Sequence, residues 1–144
     1  MSIGYYQTQS ADTATGEIWE LLIEEMKDQT FAFQLHTYSE NSRGYSESWC
    51  EGMVEIAGEE LFFKEQIGFH WDWEDVSKQY HLIEVKDGFK GTLDKENGQI
   101  KIRKVALSFS SNYNLVEIKE KFIDIKQQLN ELLIIKNQYP TEIW

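Results

Sequence analysis

The stretch EIWELLIEEMKD, residues 17–28, decides how the chain begins, because it precedes a long series of strand-like segments. Trp19, Leu22, Ile23 and Met26 fall at i, i+3, i+4 and i+7, one face of a helix, with Glu17, Glu20, Glu24 and Asp28 distributed around it. Thr13 or Thr15 is a suitable cap, and acids in the first turns followed by Lys27 near the end suit the helix dipole. The spacing therefore predicts an N-terminal helix, preceded by a weakly signalled strand, IGYYQT (3–8).

Downstream the period changes to two. In TFAFQLHTY, Phe31, Phe33 and Leu35 alternate with Gln34 and His36, and SENSRG (39–44) is a turn cluster. YSESWCEGMVEIAG keeps the alternation except near Gly52, where a bulge is expected. From Leu61 onward the odd positions read Leu61, Phe63, Glu65, Ile67, Phe69, Trp71, Trp73. On that pattern Phe69, Trp71 and Trp73 face the core, while His70, Asp72 and Glu74 line the solvent side. Glu65 breaks the apolar row, and KEQ (64–66) reads best as a local bulge or turn between two shorter strands. YHLIEV (80–85), FKGTL (89–93) and QIKIRKVALSF (99–109) are three more strands, separated by KDG and DKENG, and the last one slips after Ile102.

The C-terminal helix is the clearest element. Leu115, Ile118, Phe122, Ile125, Leu129 and Leu132 recur at spacings of three and four, with Asn114 as cap, Glu117 at the third position and Pro140 beyond the end. Its broad stripe suits packing against a sheet rather than a coiled-coil seam. The fold expected is α+β. One domain spanning 1–144 would hold a curved, mainly antiparallel sheet of about six strands, an N-terminal helix and a long C-terminal helix.

The formal charge is −11, and it is unevenly spread. Residues 1–77 hold sixteen Asp/Glu against three Lys/Arg, a balance of −13; residues 78–144 hold nine against eleven, a balance of +2. Such a field disfavours nucleic acid and anionic membranes and draws in basic partners. The same acidic half carries thirteen of the twenty aromatic residues. Tyr45, Glu47, Trp49 and Glu51, joined by His70, Asp72 and Glu74, are the expected contact surface for a basic protein. That makes the chain a non-enzymatic inhibitor of the immunity-protein or antitoxin kind. The competing expectations are a small-molecule binder with an aromatic-lined pocket in the curved sheet, or a small enzyme using His70, Asp72 or Glu65.

Catalytic and cofactor motifs are missing from the sequence. There is no nucleophile elbow and no phosphate loop, and the single Cys50 is a small strand residue rather than a nucleophile or a disulfide partner. His70, Asp72 and Glu74 would need His36 or His81 as a further ligand to hold zinc, so no metal and no cofactor are expected. The start MSIGYYQTQS has no basic-then-apolar leader and the longest apolar run is LLII, which points to the cytoplasm.

Overall fold

The computed structural model describes residues 3–8, 18–41, 44–71, 78–96 and 99–138. Eight strands are wound in sequence order: β1 (Gly4–Thr8), β2 (Ile18–Glu25), β3 (Phe31–Asn41), β4 (Gly44–Ala57), β5 (Glu60–Trp71), β6 (Lys78–Val85), β7 (Gly88–Glu96) and β8 (Gln99–Phe109). Each pairs antiparallel with the next, and β1 closes on β8 through Tyr6↔Phe109, Gln7↔Ser108 and Thr8↔Leu107. Among the described residues the result is a closed up-and-down barrel followed by one helix, α1 (Leu115–Gln138). The expected open sheet of about six strands and the α+β class are therefore corrected to a closed, almost wholly β architecture.

The largest correction is residues 18–25, read as a helix and folded as β2. Trp19, Leu21 and Ile23 face the barrel interior, where they pack with Tyr6, Phe33, Leu35, Phe63, Leu82 and Phe89. Leu22 faces outward and is covered just as fully, because α1 lies on that side. A strand buried on both faces shows a nearly continuous apolar run, and its two-residue period disappears. The helical spacing of Trp19, Leu22 and Ile23 combined inward and outward residues by coincidence. The end of the stretch is a turn: Asp28 and Gln29 adopt left-handed φ values of 57° and 61°, and Met26 N–H donates to the Thr30 carbonyl at 2.8 Å.

A second correction concerns β5. Glu51 pairs with Ile67 but Gly52 pairs with Glu65, so Gln66 is an extra residue with no opposite number. The bulges expected at Gly52 and KEQ are the two sides of this one irregularity. One inserted residue reverses the faces of everything beyond it. Leu61, Phe63 and Glu65 point inward before the bulge, and Gly68 and His70 after it. Phe69 and Trp71 point outward, against α1 rather than into the barrel. His70, expected on the solvent side, is buried instead, its side chain only 7% exposed. Trp73, Asp72 and Glu74 lie outside the described residues. Beyond Ile102 the β7–β8 register shifts as the broken alternation predicts, Gly91↔Val105 giving way to Leu93↔Ile102.

Helix α1 starts as expected: the Asn114 side chain accepts the Glu117 N–H at 3.1 Å, and the Ile118 N–H reaches the Asn114 carbonyl at 3.0 Å. Ile118, Phe122, Ile125 and Leu129 seat it on the outer wall together with Tyr5, Leu22, Trp49, Phe69 and Trp71. No described helix is long and apolar enough to cross a membrane.

Because β2 is buried on both sides, Leu21→Ala and Leu22→Ala should each cost about 2–5 kcal/mol in urea unfolding. An amphipathic surface element would instead tolerate one of the two, so a near-neutral result at either position would speak against this packing.

Candidate functional site

Two polar constellations stand out, one on each side of the barrel wall. The inner one follows from the register. Trp19, Thr37, Ser48 and His70 are consecutive partners across β2, β3, β4 and β5, and all face inward. One layer nearer the end where β3 turns into β4, Ser39 pairs with Ser46, their hydroxyl oxygens 3.0 Å apart. One layer the other way lie Leu21, Leu35, Cys50 and Gly68; deeper still the interior is filled by Ile23, Phe33 and Phe63. Along β3 and β4 the lining thus passes from Phe33 and Leu35 at one end to Ser and Thr at the other, where Trp19 of β2 stands beside them.

Glu65, opposite Gly52 in the Ile23–Phe33 layer, reaches past Gly68 to His70, Glu65 Oε1 against His70 Nε2. They sit five residues apart and touch only because Gly68 lies between them on the same face. A Cβ at Gly68 would overlap the Glu65 carboxylate and stand 2.6 Å from His70 Nε2. His70 Nδ1 is buried and has no hydrogen-bond partner among the described residues.

The outer constellation lies beneath α1. Tyr5 Oη donates to Glu20 Oε2 at 2.6 Å, and the Lys121 ammonium, from α1, donates to both Glu20 oxygens at 2.7 and 2.8 Å. His36 joins two carboxylates, with Nδ1 3.3 Å from Glu20 Oε1 and Nε2 2.6 Å from Glu47 Oε2. Tyr45 Oη donates to the other Glu47 oxygen. Burial alone would raise the Glu20 pKa, but hydrogen bonds from His36, Lys121 and Tyr5 outweigh it and hold the carboxyl at about 2. Burial pulls His36 down, and its two carboxylate partners more than reverse that, so its pKa lies above the ordinary histidine value. Glu47 is likewise held below its ordinary value: burial opposes this, and the hydrogen bonds from His36 and Tyr45 prevail.

The residues expected to form a protein-contact patch are divided by this arrangement. Tyr45 is exposed at the rim, and Glu47 is tied into the His36 cluster. Trp49 is buried under α1, with the Lys126 ammonium 4.9 Å above its ring. Glu51 is half-buried on the outer face of β4, and His70 is on the other side of the wall. Asp72 and Glu74 are outside the described residues. The metal site weighed from His70 with His36 or His81 is not assembled: His36 and His81 point outward, His81 stacking on Phe62 at 4.6 Å, while His70 points inward. No cluster of three potential ligands occurs among the described residues. Glu20, Tyr5 and Lys121 were not singled out in the sequence. Glu20 lies in the stretch whose spacing reads as a helix, and nothing local connects it to a lysine 101 positions away.

No protein-family model matches the chain, and no curated protein or solved structure matches it significantly.

The outer cluster makes the docking of α1 depend on pH in two directions. Glu20 contributes stability that is present above the ordinary carboxylate range and lost as pH falls towards 2, on the order of 3 kcal/mol for its shift from 4.5. His36, raised, contributes stability that is complete below about 6.5 and lost as pH rises through its folded value. Stability measured by urea unfolding should therefore decline on both the acid and alkaline sides. His36→Gln should flatten the alkaline decline and leave the acid one; an unchanged alkaline limb would assign it to other groups.

Proposed function

We propose that this protein binds a small molecule in the polar end of its barrel. The observation that carries the reading is the Glu65–His70 pair: an oriented imidazole, buried on the interior face, whose second nitrogen has no described partner. Leaving such a group unsatisfied costs about 1–3 kcal/mol, which a bound molecule or an ordered water recovers. The size of the lining supports the reading too. An eight-stranded barrel is just wide enough for side chains to fill or for one small ligand to enter. On the described wall β3 and β4 line that end with small residues, Thr37, Ser39, Ser46, Ser48 and Cys50, beside the buried Trp19 of β2.

A basic protein held on the acidic half is the competing reading. Two of its supports are weaker in the folded chain. Trp49 is covered and unavailable as an anchor, and part of the acidic wall already faces the cations of α1: Lys119 pairs with Glu24 at 2.8 Å and Lys121 with Glu20.

The two readings separate by experiment. A panel of small polar and aromatic fragments, screened by ligand-observed NMR and thermal shift, should yield binders that perturb the backbone amides of Thr37, Ser48 and His70. Filling the polar layer with Ser46→Leu should weaken those binders by about tenfold or more while the circular dichroism spectrum stays unchanged. Binding indifferent to that plug counts against the interior site. A basic protein retained from source lysate at low salt, released at high salt and equally indifferent to the plug favours the competing reading.

A further inference from the structure

We infer that the interior site selects by hydrogen-bond polarity: it takes a small neutral or cationic molecule that donates an O–H or N–H to His70 Nδ1, and it rejects carboxylates and phosphates. This rests on the barrel interior being a ligand site and specifies what enters it. The first support is the tautomer. His70 Nε2 faces the carboxylate oxygen of Glu65, an acceptor only, so the ring proton sits on Nε2. Nδ1 then carries the lone pair.

The second support is electrostatic. The Glu65 side chain is 11% exposed, and among the described residues its ionic partner is His70 rather than any Lys or Arg. An anion brought to Nδ1 would be stripped of water within a few ångströms of that carboxylate. A donor of either neutral or positive charge meets no such opposition. The third support is construction. Gly68 provides the gap in which the pair forms, so the dyad is held by the backbone on one side and by the Gln66 bulge that aims both residues inward. Ser48, directly opposite His70, adds a hydroxyl that can donate or accept and so imposes no polarity of its own. The buried indole N–H of Trp49 likewise has no hydrogen-bond partner among the described residues, but it lies in the apolar layer under α1 with a lysine over its ring.

The test uses three probes with one ring and different head groups: benzyl alcohol, benzylamine and benzoate. Affinities come from titration of the full chain, and long-range ¹H–¹⁵N spectra report the two imidazole nitrogens of His70. Benzyl alcohol and benzylamine should bind about tenfold or more tightly than benzoate and move the Nδ1 resonance. Glu65→Gln, which keeps the shape and removes the charge, should bring benzoate to within about threefold of the alcohol. A purely structural Glu65 would change stability without changing that ratio. If benzoate binds as well as the alcohol to the unmodified protein, the polarity assignment is wrong while the interior site stands. If none of the probes moves His70 or its neighbours, the site holds water only, and the ligand-binding reading fails with it.

Discussion

A strand can offer only one of its faces to a barrel interior, and in β5 that choice is reversed part-way by the extra residue Gln66. Much of the molecule depends on this. Before the bulge, Phe63 fills the core; after it, Gly68 and His70 take the inward positions and Phe69 and Trp71 are turned out. Without the extra residue Phe69 and Trp71 would compete for the interior, His70 would face α1, and Glu65 would be a buried carboxylate with no partner. The two aromatic side chains that are turned out give α1 its seat at the far end, with Lys136 5.8 Å from the Trp71 ring. A single insertion thus sets both the polar interior and the docking of the helix.

What the sequence made legible follows the same physics. Helix α1 was readable because it is buried on one face only, and the spacing of Ile118, Phe122, Ile125 and Leu129 survives as a stripe. Strands β3 and β4 were readable because polar residues still alternate with Phe33 and Leu35. In β2 the outer face is covered by α1, so Leu21 and Leu22 are equally buried and no period of two remains. Closure was not legible at all, since it rests on a pairing between β1 and β8, about a hundred positions apart. As for the site, Glu65 and His70 were both picked out by residue type. Strict alternation places His70 on the solvent face, and the bulge between the two residues is what turns it inward.

The charge asymmetry has a partly internal explanation. The acidic half forms β1 to β5, and α1 lies across that wall with Lys119, Lys121, Lys126 and Lys136 directed at Glu24, Glu20, Trp49 and Trp71. The chain therefore supplies a basic partner to its own acidic surface. Glu20 shows how far this goes: a carboxylate only 9% exposed is made affordable by a tyrosine, a histidine and a lysine drawn from three separate elements. The exposed acids near the β4–β5 turn, Glu55, Glu59 and Glu60, remain outside this arrangement with α1.

Barrel closure also imposes an order in time. Every strand from β1 to β7 pairs with the one that follows it, so hairpins can form as the chain emerges, each from local sequence. The seam between β1 and β8 is different, because Tyr6 and Thr8 must wait for Leu107 and Phe109 to exist. Until then the growing sheet has two open edges, and its outer wall lacks α1, which follows β8 in the chain. A nascent or truncated chain ending before residue 109 would expose the edge of β1 together with the uncovered Leu22, Trp49 and Phe69. Those are the conditions under which partly made β proteins associate with one another. For this chain, the final third of the sequence acts as the protection of the first.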